Sequence, residues 1–207
     1  MHYLILGFFT GLSLILAIGA QNIFVIEQGL KRQYVFLVCL ICSLSDLILI
    51  FLGIFLFEYF KSFFTNNIEL IFNILLFIFL IYFITNKLKF KYKNLEVNID
   101  TNKISLKNVI IKTLGFTYLN PHVYSDTVFF LGNFSKNFLI TQKYFFGIGA
   151  SIASFLFFFS LGYLSKFLSK YLKNYRIWQT INTFIIIFMG SLALYILFEI
   201  IGNLGKI

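Results

Sequence analysis

A chain of 207 residues with 59% hydrophobic residues, 12% charged residues and a mean hydropathy of +0.89 lies well above the roughly 45–50% apolar content of soluble domains. That excludes a water-soluble fold and implies an all-α, polytopic membrane protein. A formal net charge of +9 suggests nucleic acid at first sight, but the positions of the charges, taken up below, exclude that partner and point to a lipid bilayer.

Six apolar runs approach or exceed the roughly 20 residues that cross a bilayer as helix: about 4–26, 35–57, 68–84, 109–131, 144–164 and 181–201. Before the first run there is no positive n-region, and after it no small-residue cleavage site, so it is expected to be a retained span rather than a signal peptide. Gly7 and Gly11 give this run the small-xxx-small spacing of closely packed membrane helices. They predict a packing face, within the monomer or in a homodimer. Further along, Gly19 loosens the helix, and the adjacent amides Gln21 and Asn22 either line a site or bridge to a neighbouring helix. The turn Glu27-Gln28-Gly29-Leu30-Lys31-Arg32 is expected to end the helix at its glycine and to hold the loop at the cytoplasmic face through its cations. Glu27 is expected there as a solvated, interfacial residue.

The second run carries Cys39 and Cys42, a CxxC pair with no second thiol pair to complete a metal site. The cysteines are expected to be inert small hydrophobes, and no metal or cofactor is expected anywhere in the chain. Asp46 differs, because an ionised side chain half-way along an apolar span must face the bundle interior or water. A structural salt bridge is its alternative role. In the third run Asn73 is the one strongly polar interior residue. The segment 86–112 is polar, basic and free of proline, and is expected to be a long cytoplasmic loop. It divides the chain into half-repeats 1–86 and 109–207, with the loop itself at 87–108.

Pro121, the one proline of the chain, interrupts the fourth run. Proline removes a backbone donor, clashes with the preceding turn, and pushes the residue before it out of helical geometry. The span should therefore break at Asn120, with Asn120 as cap and Pro121 in the first helical position. Membrane helices break only where protein or a water-filled cavity receives the freed backbone groups. Asp126 follows five residues later, and a broken helix beside a buried acid predicts a binding site. His122 is either part of a proton relay or a hydrogen-bonding spacer. The fifth run presents Gly147, Gly149, Ala150, Ser151, Ala153 and Ser154 as a close-packing face. Arg176, Trp178 and Gln179 form a basic and aromatic approach to the sixth, with Trp178 as interface anchor. Asn182, Gly190, Ser191 and Ala193 add polarity and small volume within that run.

With six spans, the loops after the first, third and fifth carry thirteen Lys and Arg residues and the opposite side four. This positive-inside bias predicts that both termini lie outside the cytoplasm, and it makes the run from Lys87 to Lys93 a topology signal. The halves echo each other faintly: Gln21-Asn22-Ile23-Phe24-Val25 against Asn120-Pro121-His122-Val123, and Ser45 and Ser154 each eight residues before a glycine, Gly53 and Gly162. Halves of three spans must face in opposite directions. The expected design is two inverted three-helix repeats with helices 1 and 4 broken near the midplane.

These residues resemble the lysine exporter family, in its branch that expels lysine and arginine. The resemblance rests on Gly19-Ala20-Gln21-Asn22 with Phe24-Val25, Gln28-Gly29 and Arg32, Leu44-Ser45-Asp46-Leu47 with Gly53, and Leu119-Asn120-Pro121-His122-Val123-Tyr124 with Asp126-Thr127 and Leu131-Gly132. It covers nearly the whole chain. The branch that exports neutral amino acids and homoserine-type metabolites has Pro-Gly-Pro where this chain has Gly19-Ala20-Gln21, and Tyr118 replaces the tryptophan usual before Leu119. The resemblance implies a non-enzymatic exporter of L-arginine or L-lysine in the bacterial inner membrane, coupled to protons or to the membrane potential. Asp46, Asp126, Gln21, Asn22, Asn120, Pro121, His122 and Tyr124 are the residues expected to bind substrate or relay protons. Export of neutral metabolites is the alternative within the family. A thiol–disulfide carrier using Cys39 and Cys42 is the alternative from another class.

Overall fold

The computed structural model describes residues 1–16, 19–63, 66–93, 105–169 and 175–204, and among these the regular structure is helical, with no strand. In chain order the elements are α1 (His2–Ile15), α2 (Ala20–Lys31), α3 (Val35–Phe63), α4 (Asn66–Lys93), α5 (Leu106–Tyr118), α6 (Pro121–Tyr124), a π-helical turn (Ser125–Phe130), α7 (Leu131–Ser135), α8 (Ile140–Leu168) and α9 (Tyr175–Leu204). Among the described residues Val35–Phe57, Ile140–Leu168 and Thr183–Gly202 are long and apolar enough to cross a membrane. The pair α1 and α2, bent by 83°, adds a fourth if it is one span, and Leu70–Thr85 is a shorter apolar stretch. The fourth apolar run of the sequence is divided among α5, α6, the π-helical turn and α7.

In lipid there is no hydrophobic drive between helices, so close van der Waals packing holds the bundle together. Helices α1 and α8 achieve it with glycine on both sides. A Cβ placed on Gly7 would collide with the Phe146 backbone, one on Gly149 with the Leu4 backbone, and one on Gly11 would lie 2.9 Å from Ala150 Cα. The predicted small-residue faces of the first and fifth runs thus meet each other inside one chain. A second seam joins α4 to α9, where Leu76, Leu80, Ile185, Met189, Ala193 and Ile196 share a buried cluster. That cluster also contains Phe24, Phe83 and Phe116, whose rings pack on one another.

Three expectations are corrected. The helix α2 does not end at Gly29 but at Arg32, which adopts the left-handed conformation (φ 54°). Gly29 instead admits α8, since a Cβ there would lie 2.6 Å from Gly162 O. Glu27 is buried, at 2% exposure, and accepts an ion pair from Lys31 one turn on, which is what makes its burial tolerable. The basic segment 86–112 is not a loop throughout: α4 continues to Lys93, and α5 begins at Leu106 behind the N-cap Ser105. Lysine is a good helix former and no proline intervenes, so the helix runs past its apolar stretch. Residues 94–104 of that expected loop, the side chains of Lys61, Arg176, Trp178, Gln179 and Asn182, and Lys206 lie outside the described residues.

Candidate functional site

The two helix breaks meet. Helix α5 stops at Tyr118 and α6 starts at Pro121, as the proline predicts, while α1 stops at Ile15 and α2 starts at Ala20. A Cβ on Gly19 would lie 3.9 Å from Asn120 Nδ2, so the starts of α2 and α6 face each other. Between them is a cavity of about 340 Å³ lined by Gly19, Gln21, Asn22, Asp46, Asn120, His122, Asp126 and Thr127 on its polar side. That volume lies within the roughly 300–1,000 Å³ typical of small-molecule sites.

The breaks are finished differently. Asn120 has extended backbone (φ −83°, ψ 110°), and its Oδ1 accepts from His122 N at 3.1 Å, a side-chain N-cap. Gly19 caps α2 without a side chain, so no cap side chain stands between the start of α2 and the cavity. The two amides of the first motif also part company. Asn22 Nδ2 donates to Ile15 O at 3.2 Å and so satisfies a carbonyl that the break releases. Gln21 Nε2 is buried with no hydrogen-bond partner among the described residues.

Asp46 projects from α3 and is 3% exposed. Its Oδ2 accepts a 2.8 Å hydrogen bond from Ser154 Oγ of α8, and no Lys or Arg pairs with it among the described residues. Ser154, which in the sequence marks packing and a faint repeat, is therefore the direct partner of this acid. Asp126 sits in the π-helical turn, a wider winding that recurs at functional positions. The turn is locked to α3 by glycine: a Cβ on Gly53 would lie 2.5 Å from Val128 Cα and 2.6 Å from Thr127 O. Thr127 Oγ1 donates back to Val123 O of α6 at 2.6 Å. His122 presents an exposed ring 6.1 Å from that of Tyr195 on α9.

Six of the eight residues singled out by sequence line the cavity: Gln21, Asn22, Asp46, Asn120, His122 and Asp126. Pro121 is buried behind the wall, where it makes the break. Tyr124 turns away, its hydroxyl donating to Tyr118 O at 2.9 Å and its ring against Phe72, so it ties the two sides of the break together. Sequence reasoning did not single out the rest of the wall: Leu76 and Leu80 from α4, Phe158 from α8, and Leu192, Tyr195 and Ile196 from α9. Cys39 and Cys42 are free and buried, with Cys39 Sγ donating to Phe158 O. The arrangement can take a ligand with a cationic group against the two carboxylates and an anionic group at the start of α2.

The profile of the LysE type translocator family matches residues 12–199. The arginine exporter protein ArgO of Pectobacterium atrosepticum is 35% identical over 193 residues, covering 91% of this chain and 93% of the relative. The protein of that name from Pectobacterium carotovorum subsp. carotovorum is likewise 35% identical over 193 residues. An arginine exporter protein ArgO of Salmonella paratyphi A is 33% identical over 204 residues, covering 93% of this chain and 92% of the relative. No solved structure matches the chain.

Proposed function

The chain belongs to the LysE type translocator family, and from that premise we propose that it exports basic L-amino acids, arginine or lysine, across the bacterial inner membrane. The observation that carries the substrate class is the cavity wall, which holds two carboxylates, Asp46 and Asp126, and no lysine or arginine. Ionised acids without a counter-ion are unfavourable at membrane depth, so a cation completes the site. Relatives that bear the name arginine exporter support the same class. Neutral substrates would leave both charges unmatched, and the thiol-carrier alternative would draw on cysteines packed in one helix.

In the proposed binding mode the substrate carboxylate sits at the start of α2, where the glycine cap puts no side chain before the positive end of the helix dipole. The corresponding donor at the start of α6, His122 N, is already taken by Asn120. Gln21 and Asn120 offer hydrogen bonds to the α-ammonium, and Asp46 and Asp126 face the side-chain charge. A membrane potential of about 100 mV, negative inside, opposes the exit of one cation by about 2.3 kcal/mol. Net export therefore requires an inward ion, and a proton carried on Asp126 or Asp46, with His122 beside it, is the coupling we propose. Six spans in two inverted repeats with both termini periplasmic complete the reading, supported by the charge asymmetry and by the meeting of the two breaks.

The test is efflux of radiolabelled arginine and lysine from protein reconstituted in vesicles, with and without an imposed proton gradient, alongside resistance of cells to canavanine and thialysine. Release of neither amino acid under any gradient would overturn the assignment.

A further inference from the structure

The motif Gln28-Gly29 is left over once the central cavity is accounted for. Gly29 is explained by the approach of α8. Gln28 is not: it is fully buried, yet both its Nε2 and its Oε1 lack a hydrogen-bond partner among the described residues. A buried amide with both ends unsatisfied is unfavourable and calls for an explanation by an ion, water or ligand.

Its surroundings supply one. On α2, Gln28 lies one turn beyond Phe24 and two turns beyond Gln21, all on one face. Helix α5 runs the opposite way, since both helices have their cavity end at a break, Ala20 in α2 and Tyr118 in α5. Phe24 packs on Phe116 of α5, with ring centroids 5.1 Å apart, so Lys112, one turn before Phe116, stands at the level of Gln28. Lys112 Nζ lies 5.5 Å from the centroid of the Phe83 ring, within cation–π range, and within electrostatic reach of Glu27 and Lys31. Glu27 Oε1 is held by Lys31 Nζ at 2.5 Å. Beyond the aromatic layer formed by Phe24, Phe83 and Phe116, and away from the cavity, the described residues therefore bring together the Glu27 carboxylate, the Lys31 and Lys112 ammonium groups and the unsatisfied amide of Gln28.

We propose that Glu27, Gln28, Lys31 and Lys112 form a second amino-acid station at the basic end of α2, which loads a basic amino acid before it passes the aromatic layer into the central cavity. The substrate's side-chain cation takes the place of Lys31 on Glu27. The released Lys31, together with Lys112, receives the α-carboxylate. Gln28 uses both halves of its amide, Nε2 toward the carboxylate and Oε1 toward the α-ammonium. Phe83, already facing a cation in Lys112, offers its ring to the substrate's charge on the way through. The station rests on the proposed export of basic amino acids and extends it to the route the substrate takes.

The experiment measures KM and kcat for arginine efflux from vesicles reconstituted with full-length wild type, Gln28→Leu and Glu27→Gln, together with the melting temperature of each in detergent. Gln28→Leu is expected to raise KM at least ten-fold and leave kcat within two-fold. Its melting temperature should be unchanged or higher, because leucine keeps the volume and removes two unpaired buried atoms. Glu27→Gln should narrow the preference for arginine over its neutral isostere citrulline at least ten-fold, and it carries the test if Gln28→Leu does not reach the membrane. A fall in melting temperature with a parallel fall in kcat would make Gln28 structural and overturn the station. Wild-type efflux with unaltered KM and preference in both variants would overturn the station alone. Wild-type vesicles that release no basic amino acid would overturn it together with the export reading.

Discussion

Gly53 is the point at which the geometry of the two acids can be disturbed without touching either. It stands two turns beyond Asp46 on α3 and abuts the turn that carries Asp126. The added Cβ in Gly53→Ala would lie 2.5 Å from Val128 Cα and 2.6 Å from Thr127 O, whereas carbon atoms in contact settle at about 3.5–4.0 Å. Backbone cannot swing aside as a side chain does, so the π-helical turn must retreat by about 1 Å. Overpacking of this kind destabilises by about 1–3 kcal/mol, and the better helix propensity of alanine offsets up to about 1 kcal/mol. The variant should therefore insert and persist in the membrane. Transport should suffer far more, because a displacement of about 1 Å in a binding constellation can slow turnover by about a hundred-fold. Gly190→Ala is the control, since nothing lies within 4 Å of a Cβ there. The assay is initial arginine efflux normalised to membrane immunoblot. Gly53→Ala exporting within two-fold of Gly190→Ala would show that contact between α3 and the Asp126 turn does not set the site.

Pro121→Ala should let helix grow back across Asn120 and lower export at least ten-fold with insertion intact; full export by the variant would make the break incidental. Ser154→Ala leaves the buried Asp46 carboxylate without its 2.8 Å donor, a loss of about 1.5–3 kcal/mol for a hydrogen bond to a charged group. It should appear as a ten- to hundred-fold change in arginine affinity, and unchanged binding in a titration would refute it. Asp46→Asn and Asp126→Asn should each abolish resistance to canavanine and thialysine at near-normal protein levels, because neither acid forms an ion pair with Lys or Arg among the described residues and losing the charge does the fold little harm. Wild-type resistance in either variant defeats the assigned role, and loss of protein from the membrane makes that acid structural. A reporter fused after Lys206 should register the periplasm and one inserted near Asn98 the cytoplasm, and a cytoplasmic C-terminus would require a different number of spans.

The parts of the site legible in sequence are those whose physics is local. Proline restricts its own backbone and its neighbour's, so the break at Asn120 and the N-cap follow from two residues. A carboxylate in an apolar run has few places to go, so Asp46 and Asp126 announce themselves. Tyr195, Leu76 and Ile196 do not, because an apolar residue in a membrane helix reads the same whether it faces lipid, core or cavity. The π-helical turn at Ser125–Phe130 leaves no mark in composition, since one extra residue in a winding is a tertiary compromise with Gly53. Glu27 misleads because its neighbours Lys31 and Arg32 suggest a wet interface. The pairing one turn along makes burial tolerable, but the burial itself comes with the packing of other helices on α2, which the local sequence does not show.

The two breaks and the two acids are each unequal, and the inequalities run in the same direction. One helix start is capped by a side chain and the other by glycine, so the start of α2 is the one with no cap side chain in the way of a ligand carboxylate. Of the acids, Asp46 is buried on α3 and held by Ser154. Asp126 is partly exposed and sits on a π-helical turn, and the exposed ring of His122 lines the same cavity. In the proton-coupled export proposed above, a counter-ion holds its charge through the cycle, whereas a coupling group exchanges its cation for a proton. The difference in exposure gives Asp126 the easier access of the two for such an exchange. On that proposal the π-helical turn is the element through which loading of Asp126 would reach α3, because Gly53 packs directly against its backbone. Exchange of substrate for a proton and movement of the bundle would meet at that contact.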